Sequence, residues 1–129
     1  MSELNNIKSR HDLFGMGNVI TEEINLKTVK DPKRVTAFVV SCSEERPLLV
    51  DHLNISVKND VLSLTGCAKY VVDFILEVMH ASGAHDDIIN VASEKLRDKY
   101  KVRTLSLSQV KCRTAKFIAS YLTEIQTES

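Results

Sequence analysis

Residues 61–83 read VLSLTGCAKYVVDFILEVMHASG and form the most clearly patterned part of the chain. Residues 61–66 favour a strand, since the short run is largely apolar and contains the β-branched residues Val61 and Thr65. Residues 68–82 predict a helix with one apolar face, because apolar side chains recur three and four positions apart: Val71, Val72, Ile75, Leu76 and Met79. Gly83 follows where a left-handed residue commonly ends a helix. The stretch therefore predicts a strand, a turn at Gly66 and a helix packed on the sheet.

The chain before this stretch favours two more strands. Residues 23–29 alternate polar and apolar side chains, which is the period of a half-buried strand. Residues 30–33 indicate a turn, and residues 34–42, RVTAFVVSC, favour a central strand covered on both faces. A short helix is expected to begin within residues 43–47, where a serine precedes two acids. Its buried side would be Leu48, Leu49, Val50 and Leu53.

Residues 53–57 also fit a strand, joined to residues 61–66 by a hairpin turn at 58–60. The periodicity leaves the helix and the hairpin open as alternatives.

Three segments follow Gly83. Residues 86–100 have helical features, residues 101–107 indicate a strand, and residues 109–125 carry a helical stripe. The members of that stripe are Val110, Thr114, Phe117, Ile118, Tyr121, Leu122 and Ile125. The predicted fold class is α/β, more closely an α+β two-layer domain with a small mixed sheet packed against helices and an extra C-terminal helix.

Composition places the chain among soluble globular proteins, with 129 residues, 43% hydrophobic and 26% charged. We expect one globular domain over residues 18–129, preceded by a flexible arm over residues 1–17. The longest apolar run, residues 37–40, is too short to span a membrane, and no secretory signal is visible. The three cysteines have no Cys-x-x-Cys spacing, which favours an intracellular location in the cytoplasm or nucleus.

Charge is unevenly distributed, although the formal total is zero. Residues 95–116 contain eight basic residues and one acidic residue, Asp98, for a net charge of +7. Residues 27–34 add a second basic cluster with a local charge of +3. Such segregation is typical of a phosphate-binding surface, and a solvated face that only keeps the protein soluble explains it about equally well.

The sequence carries no catalytic signature. The histidines, at positions 11, 52, 80 and 85, lack metal-ligand spacing, and the glycines form no phosphate-binding pattern. Cys67 precedes the predicted helix, where a thiol can be acidified, although a small buried apolar residue is the more common role. We therefore expect a non-enzymatic protein without a metal or cofactor.

The strand–glycine–helix unit of residues 61–83 resembles the core of the Alba family, small α/β nucleic-acid-binding proteins of archaea and eukaryotes. The family pattern is an apolar strand, a glycine, an alanine two residues later, an apolar helix face and a glutamate eleven residues after the glycine. Here these positions are held by Gly66, Ala68, Val72, Leu76, Glu77 and Val78, with Gly83 closing the helix. The lysine pair that the family usually carries before the proline is Glu45-Arg46 here.

This resemblance implies further elements over about residues 34–110. Residues 34–42 would be the first strand, and Arg46-Pro47 would open the first helix. Roughly residues 87–96 and 99–109 would form a two-stranded hairpin arm, which conflicts with the helical pattern of residues 86–100. Family members use such an arm along a nucleic-acid backbone or in the minor groove, and they associate in pairs.

We therefore expect binding to RNA or DNA, mostly through the backbone, by a homodimer or a heterodimer with a related subunit. The expected phosphate ligands are Lys95, Arg97, Lys99, Lys101 and Arg103, assisted by Lys33 and Arg34. The apolar stripe of the C-terminal helix is expected to add to the dimer interface. The alternative is a protein-interaction module, such as an inhibitor, antitoxin or immunity protein, that binds its partner through a charged face.

Overall fold

The computed structural model describes residues 18–46 and 52–128. Within these ranges the elements are β1 (Val19–Asn25), α1 (Pro32–Glu45), β2 (Leu53–Lys58), β3 (Val61–Cys67), α2 (Ala68–Ala81), α3 (Asp86–Tyr100) and α4 (Leu107–Glu128), with a short 3-10 turn at Leu26–Thr28. The strand predicted at 23–29 is therefore β1, which lies earlier and ends at Asn25. The predicted arm over residues 1–17 and the predicted buried residues Leu48, Leu49 and Val50 lie outside the described residues.

The strands form an antiparallel sheet in the order β1-β3-β2. Asn59 and Asp60 join β2 to β3 with φ angles of 53° and 64°. A two-residue loop with both φ angles positive matches the twist of hairpin strands, and Asn and Asp tolerate this conformation. The hairpin alternative is thereby confirmed, so Leu53 is a strand residue and not part of a helix. The α+β two-layer class with a C-terminal helix is confirmed, and the described sheet is antiparallel rather than mixed.

Gly66 belongs to β3, and the turn predicted at this residue is wrong. It pairs with Leu53 of β2, and a β-carbon at position 66 would lie 2.5 Å from the backbone oxygen of His52. Real β-carbons do not come so close, so any side chain here would push β2 away from β3. Glycine is required because the neighbouring strand approaches closely.

Helix α2 lies at the centre of the core, and ten of its fourteen residues are buried. One side packs with Leu62 and Leu64 of the sheet, while Leu76 packs with Val110 of α4. Burial on more than one side explains why the helix is apolar around most of its circumference.

The end of α2 has the predicted glycine cap. Gly83 adopts a φ of 91°. The backbone N–H groups of Gly83 and Ala84 donate to the carbonyl oxygens of His80 and Met79, each at 3.0 Å. These two bonds form a Schellman motif and confirm the predicted C-terminus.

The segment predicted as a central strand, residues 34–42, is part of helix α1. Asp31 Oδ1 accepts a hydrogen bond from the Arg34 N–H at 3.1 Å, and Pro32 occupies the first turn. These are helix-start signals, so the turn predicted at residues 30–33 is the beginning of α1. Val35, Phe38 and Cys42 are buried at helical spacing. The strand predicted at 34–42 and the helix start predicted at Ser43 are both wrong, because α1 ends at Glu45.

Residues 86–100 form the helix α3 that the pattern predicted, and the strand that the Alba resemblance implied at 87–96 is wrong. Lys101 ends the helix in the left-handed conformation, with a φ of 57°. Residues 102–106 belong to no helix or strand, so the strand predicted at 101–107 is also wrong. Their burial shows why: Val102 and Leu105 point into the core three residues apart, without the alternation of a strand.

Helix α4 confirms the predicted C-terminal helix and replaces part of the implied strand at 99–109. Val110 and Thr114 are fully buried, and the Phe117 ring lies edge-on to Phe38 with the centroids 5.1 Å apart. The apolar stripe therefore packs within its own chain over this part, while Leu122 is 45% exposed. A role for α4 in a dimer interface stays a prediction. None of the described helices combines the length and apolar composition needed to span a bilayer.

Candidate nucleic-acid interface

The phosphate ligands predicted within residues 95–101 lie on a helix and not on a hairpin arm. They are Lys95, Arg97 and Lys99 in the last turns of α3, and Lys101 immediately after it. Lys99 Nζ lies 3.1 Å from Glu22 Oε1 on β1, and the Tyr100 hydroxyl donates to the same oxygen at 2.8 Å. The hydrogen bond to Glu22 raises the pKa of Lys99 above its usual value. Lys99 therefore has a carboxylate partner within the fold, although its side chain stays 60% exposed.

The other cations of this helix end remain accessible. Lys95 and Lys101 are exposed. Arg97 Nε lies 3.6 Å from Asp98 Oδ1, with the two side chains 52% and 73% exposed. Exposed pairs of this kind contribute about 0–1 kcal/mol, so Arg97 exchanges this partner for another at little cost.

Lys33 and Arg34 lie at a different end of the molecule. The Arg34 guanidinium sits over the Tyr121 ring, 5.7 Å from its centroid, and beside Gly83 at the C-terminal end of α2. Arg103, by contrast, lies beside Lys69 in the first turn of α2. At about 1.5 Å per residue, the two ends of this helix are roughly 20 Å apart. The structure does not bring Lys33 and Arg34 together with the other predicted ligands.

Arg103 lines a cleft of about 440 Å³ formed by residues of α2, α4 and the segments that follow α1 and α3. Four basic side chains surround it: Arg46, Lys69, Arg103 and Arg113. We call this site the cationic cleft. Of the four, Arg103 alone was among the predicted ligands, while Arg113 belonged to the basic run of residues 95–116.

Two buried carboxylates lie in the cationic cleft. Glu77 is 1% exposed and accepts two hydrogen bonds from the guanidinium of Arg46, at 2.5 Å and 3.3 Å. Asp73 is 6% exposed and accepts from Lys69 Nζ at 2.8 Å. Buried carboxylates need such partners, since an unpaired charge in the interior is costly.

The same polar groups fix the position of Arg103. The backbone N–H of Leu105 donates to Asp73 Oδ1 at 3.0 Å, and Lys69 Nζ donates to the carbonyl oxygen of Arg103 at 3.3 Å. Residues 103–105 are thus attached to α2 by both a carboxylate and an ammonium group. The irregular backbone after α3 holds Arg103 at a defined place beside the cleft.

The cationic cleft has two positive charges in excess, since four cations face two carboxylates. Arg46 and Lys69 make the short contacts to Glu77 and Asp73. Arg113 Nη1 is 3.9 Å from Glu77 Oε2, and its side chain is 50% exposed. Arg103 is exposed as well. The excess charge therefore resides mainly on Arg103 and Arg113, where an anion from solution reaches it.

The thiols near these helices show no sign of activation. Burial raises the pKa of Cys42 to about 11, against the opposing effect of Arg46, whose Nη1 lies 3.7 Å from the sulfur. Burial also raises the pKa of Cys67. Both side chains are protonated at neutral pH, which agrees with the buried apolar role considered for Cys67. Within the described residues, no three His, Cys, Asp or Glu side chains are grouped as metal ligands.

No protein-family model matches this chain, and no curated protein or solved structure matches it either.

Proposed function

We propose that this protein is a non-enzymatic nucleic-acid-binding protein that contacts phosphates at the cationic cleft. The observation that carries the proposal is the excess positive charge on Arg103 and Arg113 beside two carboxylates that Arg46 and Lys69 already neutralise. An anion entering the cleft gains two guanidinium partners while the short Arg46–Glu77 and Lys69–Asp73 contacts stay in place. The cleft therefore carries excess positive charge that favours binding of an anion.

Guanidinium groups suit phosphates particularly well. Their planar array of N–H donors matches two phosphate oxygens at once, and they give up water more readily than ammonium groups. Lys101 is also exposed, two residues before Arg103. Contacts of this type position a nucleic acid and provide affinity but read no base sequence directly.

The proposal is tested with Arg103→Gln/Arg113→Gln, measured by fluorescence anisotropy with labelled RNA and DNA at several salt concentrations. We expect weaker binding and a log–log salt slope that is smaller in magnitude by about 1 for each lost phosphate contact. Lys27→Gln/Lys58→Gln is the matched control, because it also removes two exposed positive charges, near the β2–β3 hairpin. Equal effects of the two double variants would contradict a specific role for the cleft.

A second candidate, a protein-interaction module, has an observation of its own. A groove of about 320 Å³ between α1 and α4 is lined by Val40, which is 50% exposed, and by three acidic side chains and one basic side chain: Glu44, Glu45, Glu124 and Lys116. Acidic groups around an apolar centre suit a basic protein surface. Absence of RNA and DNA binding even at low salt would favour this candidate.

A further inference from the structure

An aromatic pair adjoins the cationic cleft. Tyr70, which lines the cleft, stacks on His52 with ring centroids 5.1 Å apart and planes inclined by 7°. His52 is exposed, whereas Tyr70 is half-buried. The two rings therefore form a stack that begins in the cleft and ends at the surface.

Tyr70 lies within a helix, and His52 directly precedes strand β2. Tyr70 lies in the first turn of α2, next to Lys69 of the cleft. The backbone oxygen of His52 lies against Gly66, because the following residue, Leu53, pairs with Gly66 across β2 and β3. The hairpin and α2 thus set the relative position of the rings, and a planar ligand meets a preformed surface.

We propose that the cationic cleft and this aromatic pair together bind single-stranded nucleic acid. An unpaired base stacks on the exposed His52 ring, and the adjoining phosphates contact Arg103 and Arg113. This inference rests on the proposed function and adds the class of nucleic acid. Aromatic platforms beside a positive groove are the arrangement by which proteins hold single strands without reading sequence.

The size of the cleft and the distance to the second basic pair favour a single strand over a duplex, and stacking on His52 carries the same requirement. In a duplex each base face is covered by its neighbours, so stacking on His52 requires an unpaired base. The cleft, at about 440 Å³, has the size of a pocket for one small ligand rather than of a surface for a duplex. The second basic pair, Lys33 and Arg34, lies roughly 20 Å away at the other end of α2 and does not lengthen the site.

The ligand chemistry is a planar base followed by a phosphate, which RNA and DNA share. The experiment therefore compares four labelled oligonucleotides of about twelve nucleotides, a length within the usual range of single-strand sites: single-stranded RNA, single-stranded DNA, the DNA duplex, and a DNA strand without bases. Affinities are measured by fluorescence anisotropy with the full-length protein. We expect both single strands to bind more tightly than the duplex and the abasic strand.

His52→Ala separates stacking from charge. We expect it to weaken single-strand binding by about 5- to 150-fold, the range of one base–aromatic stack, and to leave the affinity for the abasic strand unchanged. His52→Phe keeps a ring without the imidazole and is expected to retain the affinity. His85→Ala is the matched control, since His85 is also exposed but lies before α3, beyond the opposite end of α2. Circular dichroism confirms that each variant is folded.

The outcomes separate this inference from the proposed function. Equal affinity for the duplex and the single strands, or an unchanged affinity in His52→Ala, overturns the single-strand inference while binding through Arg103 and Arg113 stands. An abasic strand that binds as tightly as the single strands with bases also overturns the single-strand inference, because stacking then contributes nothing to the affinity. If none of the four oligonucleotides binds, both the inference and the proposed function are wrong.

Discussion

Asp73 and Glu77 lie on a helix whose other buried residues are apolar. Together with Lys69 they are spaced four apart, so the sequence itself places them on one side of α2. The partners of Glu77 are not visible in this way, because Arg46 and Arg113 lie far along the chain in opposite directions from it. The cleft forms only when α1, α2 and α4 pack together, which explains why the sequence predicted one of its four cations as a ligand and missed the others.

The pairing of Glu77 with Arg46 yields a prediction about stability. Arg46→Ala is expected to lower the free energy of unfolding by about 3 kcal/mol or more, because it leaves the buried Glu77 carboxylate without its two hydrogen bonds from Arg46. Arg46→Ala/Glu77→Leu is expected to recover much of this loss, since it removes the unpaired charge. Urea denaturation at neutral pH measures both variants. A double variant that is no more stable than Arg46→Ala would show that the buried charge is not the cause.

At the scale of elements, local signals decided what could be predicted. The helix at 68–82 and its glycine cap have a clear period and a clear end, and the structure confirms both. Residues 34–42 are rich in β-branched side chains, which favours a strand, but Val35, Phe38 and Cys42 also fit a helical face. Asp31-Pro32 was the deciding signal, because a capping residue followed by proline starts a helix more readily than it forms an isolated turn.

The close approach of β2 to β3 yields a prediction for Gly66. Gly66→Ala is expected to lower the free energy of unfolding by about 1–3 kcal/mol, because the new methyl group collides with a backbone oxygen that cannot rotate away. Ser63→Ala is the control, since this residue lies on the same strand and is half-exposed. Chemical denaturation measures both. If Gly66→Ala is as stable as the unchanged protein, β2 shifts freely and the position of His52 is not fixed.

At the scale of the whole molecule, α4 closes the fold over the other helices. Its residues Thr114 and Phe117 contact His80 of α2 and Phe38 of α1. The His80 ring donates from Nδ1 to Thr114 Oγ1 at 2.6 Å, because the threonine hydroxyl donates in turn to the carbonyl oxygen of Val110 at 3.0 Å. The apolar stripe of α4 was expected to add to a dimer interface. Over its first half, this stripe instead packs on α1 and α2 of the same chain.

Removing residues 114–129 distinguishes packing of α4 within its own chain from a role of α4 in a dimer interface. We expect the truncated chain to lose cooperative thermal unfolding, because it loses the buried Thr114 and the partly buried Phe117 that pack on α2 and α1, and a whole domain is stable by only about 5–15 kcal/mol. A chain ending at Glu124 is the control, since it retains Thr114, Phe117 and Tyr121, and it is expected to unfold like the full-length protein. Calorimetry follows the unfolding and light scattering follows the mass. A truncated chain that unfolds cooperatively at the original temperature with half the original mass would contradict internal packing, because α4 would then act in the dimer interface alone.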